Sequence, residues 1–133
     1  MGLRWYSTVI DCRDVRAQVR WWAEALGWQI VSDHPDEGVL VPPWMTAEPV
    51  QREDWDREPP GLVVVPVAEG KQVKNRLHLD LAAHAEDDHE AELARLVGLG
   101  ARTVDVGQPG DCTWTVLADP EGNEFCVLSP RRR

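Results

Sequence analysis

At 133 residues, with 43% hydrophobic and 28% charged residues, the chain has the make-up of one soluble globular domain, or of two small halves sharing a core. Its formal net charge of −9 excludes the basic face that a nucleic-acid binder needs and is compatible with a cationic small molecule. Cys12, Cys112 and Cys126 are odd in number, widely spaced and outside any CxxC, so they read as reduced thiols. With no charged-then-apolar leader and no apolar run long enough for a bilayer, the expectation is a cytoplasmic protein with no membrane partner.

Taken in chain order, Trp5 to Cys12 alternates as a strand, with Thr8, Ile10 and Cys12 on one face and Ser7, Val9 and Asp11 on the other. Asp14 is a helix N-cap, Val15, Val19, Trp22 and Leu26 recur at helical spacing, and Gly27 closes the helix. Neighbours on a helix lie about 100° apart, so Trp22 takes the buried stripe and Trp21 its margin. Trp28–Ser32 and Val39–Val41 form a hairpin around His34–Gly38. Residues 42–60 are rich in proline, Pro42, Pro43, Pro49 and Pro60 among them, which prevents a continuous helix. Trp44 and Trp55 point to an ordered flap over a binding site, or to a loop that its rings merely pin to the body.

Gly61–Val67 is an apolar strand, and Ala68–Asn75 a polar connection carrying Lys71 and Lys74. Arg76–Leu81 alternates, with His78 and Asp80 on one side and Leu77, Leu79 and Leu81 on the other. A second helix runs from about Glu86 to Leu99, with Leu93, Leu96 and Val97 inward and Gly100 as its stop. Arg102–Val106 is a short strand and Gly107–Gly110 a turn. Asp119-Pro120-Glu121-Gly122-Asn123 then joins Trp114–Ala118 to Glu124–Leu128 as a hairpin, because proline presets one corner and glycine supplies a positive φ. Strand parity places Trp114, Val116, Glu124 and Cys126 on the face of His78 and Asp80, a mixed face that reads as the wall of a polar cavity. The tail from Pro130 to Arg133 reads as solvated.

The two halves repeat one another. Each runs strand, helix closed by Leu-Gly, then three strands, and the intervals from Ser7 to His78 and from Gly27 to Gly100 nearly agree. The expected architecture is α+β, one domain over 1–133 made of two βαβββ modules: about 3–67, including the 42–60 loop, and about 75–129.

In this order and spacing, the segments Asp14-Val15 into Trp21-Trp22 and Leu26-Gly27-Trp28, Val73–Leu81, Val104–Gly110 and Asp119–Val127 carry a resemblance. The chain resembles the glyoxalase/bleomycin-resistance proteins of the vicinal oxygen chelate superfamily, in its glyoxalase-like domain group. The resemblance covers nearly the whole chain and implies a mixed sheet forming a cup, commonly in homodimers. It also implies metal-ligand positions at Ser7, near Val64 or Val65, at His78 and at Cys126. The glutamate that the pattern expects at the last of these is Cys126, and only His78 is an ordinary ligand there, so the expectation is no metal and no cofactor. His78, Cys126 and Asp80 would have to supply three ligands, and Asp80 lies about 7 Å along the strand from His78.

The function expected is metal-independent binding of a small planar or cationic molecule, with Ser7, Trp44, Trp55, Trp114, Val116, Glu124 and Cys126 around the ligand. One alternative is a lyase- or isomerase-type enzyme using His78 as acid or base, oriented by Asp80. Another is a non-catalytic dimeric interaction domain.

Overall fold

The computed structural model describes residues 3–133, which divide into two compact units meeting at Gly70 and Lys71. The first unit runs β1 (Ser7–Cys12), α1 (Val15–Leu26), β2 (Gln29–His34), β3 (Glu37–Val41) and β4 (Gly61–Pro66). Its strands lie in the order β1-β4-β3-β2, with β1 parallel to β4 and the other pairs antiparallel. The second unit runs β5 (Asp80–Leu81), α2 (His89–Leu99), β6 (Arg102–Thr103), β7 (Thr115–Ala118) and β8 (Glu124–Val127). Its order, β5-β8-β7-β6 with β5 parallel to β8, repeats that of the first. The fold is therefore α+β, with a βαβββ module used twice.

Local chemistry sets both helices. The Asp14 carboxylate accepts from the Ala17 N–H at 3.2 Å, and the Asp88 carboxylate from the Ala91 N–H at 3.0 Å. Gly27 and Gly100 end the helices at φ 67° and 117°, a left-handed conformation that favours glycine. Val15, Val19 and Trp22 of α1 are buried, as are Leu40, Leu62 and Val64 of its sheet.

Trp21 departs from its expected place at the margin of the α1 stripe: it is buried as well, its ring edge-on to Trp22 at 5.1 Å. A helix lying on a sheet covers a wide stripe, and an indole is long enough to reach cover from its edge. In α2 only Leu96 is fully buried, and Val97 is 49% exposed rather than inward.

The strand expected over Arg76–Leu81 is shorter. Cys126 N–H donates to Leu79 O, and Leu128 N–H to Leu81 O, so pairing starts at Leu79 and His78 precedes the ladder. The tail is also less free than expected: Arg131 N–H donates to Ala83 O and its carbonyl accepts from Ala85 N–H.

The 42–60 loop is held at both ends. Gln29 Nε2 donates to Pro42 O and Met45 O at 3.1 and 2.7 Å. Beyond a 3₁₀ turn at Arg52–Asp54, the Arg4 guanidinium stacks on the Trp55 ring at 4.1 Å and on Tyr6 at 4.7 Å. Trp55 thus pins the loop, while Trp44 is 64% exposed.

Candidate functional site

The turn after β7 sets the geometry of the second unit. Asp119 is fully buried, and its Oδ1 accepts from the N–H groups of Glu121 and Asn123 at 2.9 and 3.0 Å. Gly122 takes φ 90° inside that turn, which seats Glu124 opposite Ala118 and Cys126 opposite Val116. Alternation then turns Phe125 and Val127 to the core and Glu124 and Cys126 to the opposite face.

On that face is a cavity of about 290 Å³ lined by His78, Trp114, Val116, Glu124 and Cys126. Four further lining residues, Lys74, Val106, Gly107 and Gln108, are outside the ligand-binding set expected from the sequence. Gln108 braces its own loop, accepting from Val106 N–H at 2.8 Å and donating to Val104 O at 3.2 Å. The Gln-Pro-Gly turn was legible, but its return toward β7 is a matter of tertiary packing. Ser7, Trp44 and Trp55 belong to the first unit: Ser7 is half-buried opposite Gly61, Trp44 exposed and Trp55 engaged by Arg4.

Asp80 is outside the cavity lining but meets His78, with Oδ1 3.2 Å from Nε2. The separation of about 7 Å expected from strand rise does not apply, because His78 lies before the regular ladder and its side chain can turn along the strand.

Glu124 is committed on both oxygens. Lys71 Nζ donates to Oε1 at 2.9 Å and Asn75 N–H to Oε2 at 3.2 Å, with both charged side chains largely buried. Burial alone would raise its pKa. The hydrogen bonds from Lys71, its own N–H and Asn75, together with the Lys71 charge, outweigh that and hold the carboxyl below its ordinary range. The Cys126 thiol is pushed the other way, by burial first, then by the Asp80 charge and Cys112, against an opposing pull from Lys74.

Donor atoms of His78, Asp80 and Cys126 lie within 4.8 Å of one another, the one such group among the described residues. That spacing admits a small ion, since zinc–ligand bonds of about 2.0–2.3 Å place donors about 3–4 Å apart. His78 and Asp80 are ordinary donors for one, and Cys126 becomes a donor only if its thiol ionises on binding. In the free protein burial and the Asp80 carboxylate favour the neutral thiol, which coordination would have to reverse. The remaining positions that the resemblance implied are a serine hydroxyl and valine hydrocarbon.

A family model described as glyoxalase-like domain matches residues 7–128. Among solved structures, the chain is similar to a glyoxalase/bleomycin resistance protein/dioxygenase family enzyme from Burkholderia phytofirmans PsJN, at 15% identity and TM-score 0.66, over 97% of this chain and 100% of that one. It is similar to the fosfomycin resistance protein FosX from Listeria monocytogenes at 10% identity and TM-score 0.65, over 98% of this chain and 91% of that one. The oxidase ChaP-H2 gives 16% identity and TM-score 0.60, over 98% and 96% respectively. At these identities the likeness concerns the fold. No protein of curated function matches the chain.

Proposed function

The chain belongs to the glyoxalase-like domain family, and from that premise we propose that the cavity of its second unit binds a small planar molecule without a resident metal. The observation that carries this reading is the composition of the cavity wall. The Trp114 indole offers a flat surface beside Val106 and Val116, while His78 and Lys74 supply polar contacts. Small-molecule sites are mostly apolar concavities with a few placed polar groups, and a volume of about 290 Å³ lies at the small end of their range.

The test is calorimetric titration of planar aromatic compounds into protein stripped with a chelator. Binding is expected to survive the chelator and to weaken about tenfold or more in Trp114→Ala, as for loss of a stacked aromatic contact. Binding that requires an added divalent ion, or that is untouched in Trp114→Ala, would overturn the reading.

The contact of 3.2 Å between His78 and Asp80 favours a second reading, proton transfer in a lyase- or isomerase-type reaction. A carboxylate on one ring nitrogen orients an imidazole, which suits a general acid or base. Turnover of a bound compound, lost in His78→Ala while its affinity is kept, selects this reading over binding alone.

A further inference from the structure

Resting on the reading of the cavity as a site for a planar small molecule, we infer that its ligand carries an anionic group, and that Lys74 is the residue that selects it. The argument is one of charge. Four ionisable side chains line the cavity: Lys74, His78, Glu124 and Cys126. Glu124 is neutralised by Lys71, and both its oxygens already accept hydrogen bonds. A cationic ligand therefore finds no uncommitted carboxylate on the wall. Cys126 is buried, and His78 is engaged by Asp80 from outside the lining.

Lys74 differs. Among the described residues it forms no ion pair, and its Nζ donates to one neutral acceptor, Asn75 O, at 3.1 Å. An ammonium has three donors, so two remain for a ligand. The cavity thus presents one uncompensated positive charge beside a flat apolar face, in a chain whose net charge is −9. General electrostatic attraction would bring cations to such a protein, so selection of an anion has to be local. The fitting ligand is a planar ring system bearing a carboxylate or similar anion, with the ring on Trp114 and the charge on Lys74.

The experiment compares three probes that share one ring: naphthoate, naphthalenemethanol and naphthylmethylammonium, titrated calorimetrically into the full chain. Naphthoate is expected to bind about fivefold tighter than the neutral alcohol, a charge-assisted hydrogen bond discounted for partial exposure. The cation is expected to bind weakest. Lys74→Met should abolish the preference of anion over alcohol, while Lys74→Arg should keep the preference. Equal binding of anion and alcohol, tightest binding of the cation, or a preference that survives Lys74→Met would overturn the inference and leave the cavity reading standing. Failure of all three probes to bind would overturn the cavity reading, and the inference with it.

Discussion

Cys126 occupies the position where the resemblance expects a carboxylate, and its surroundings keep its sulfur neutral. Burial and the nearby Asp80 charge raise its pKa above the ordinary 9.0, with Lys74 opposing. Alkylation by iodoacetamide, followed site by site by mass spectrometry, should be slow at Cys126 at neutral pH and accelerate only as pH climbs past 9.0. Asp80→Asn removes a negative neighbour and should move that profile to lower pH; an unchanged profile would mean that burial alone holds the thiol. The sign for stability follows from the same shift. A raised folded-state pKa favours the folded chain below 9.0, and this contribution is lost as pH rises beyond it.

At the scale of elements, two contacts decide how the first unit is held. Gly38 of β3 packs directly beneath α1, where a Cβ would stand 2.7 Å from Val19 Cβ and 2.8 Å from its Cγ2. The obstructing atoms are a β-branched side chain that is itself fully buried, so they have little room to give. Gly38→Ala should destabilise the chain by about 1–3 kcal/mol in urea titration, the usual range for overpacking a core. A neutral or stabilising result would mean that α1 can lift from the sheet. The second contact is Arg4, whose guanidinium ties the 42–60 loop to the start of β1 through Trp55 and Tyr6. Arg4→Ala removes a stacking contact worth about 0.5–1 kcal/mol. Trypsin should then cut faster after Arg52 and Arg57, both exposed in that loop, while cleavage elsewhere is unaltered. Equal loop cleavage in both proteins would show that Gln29 alone suffices.

For the molecule as a whole, the duplicated module means that acid acts through a feature the two units do not share. The Lys71–Glu124 pair spans 53 residues and joins the first segment of the second unit to its last strand. Because the Glu124 carboxyl is held below 4.5, its contribution to stability is present above that value and lost as pH falls through the lower folded-state pKa. Melting temperature measured from neutral pH to below 4.5 should fall on the acid side, with hydrogen exchange locating the loss of protection in residues 71–133. Lys71→Met removes both the donor and the charge, and should flatten that acid limb while lowering stability at neutral pH. Parallel acid limbs in the two proteins would refute the assignment.

The sequence by itself determined what depends on neighbours along the chain. Asp14, Gly27 and Gly100 mark helix ends because caps act on the adjacent turn, whereas the second helix, expected from about Glu86, starts at His89 behind Asp88. The Asp119–Asn123 turn and strict alternation placed Trp114, Val116, Glu124 and Cys126 on one face, because strand parity is a local property. The repeated order of elements implied the duplicated topology for the same reason. Only the tertiary structure decided which charges remain uncompensated. Glu124 is neutralised by Lys71 from a distant segment, which leaves Lys74, among the described residues, as the unpaired charge on the wall that holds Trp114. It also decided that Trp21 is buried and Val97 exposed. Periodicity ranks the positions around a helix, but how far cover extends from the stripe depends on what the opposing surface brings. Charge pairing and burial depend on groups brought together from distant parts of the chain, and no local pattern encodes them.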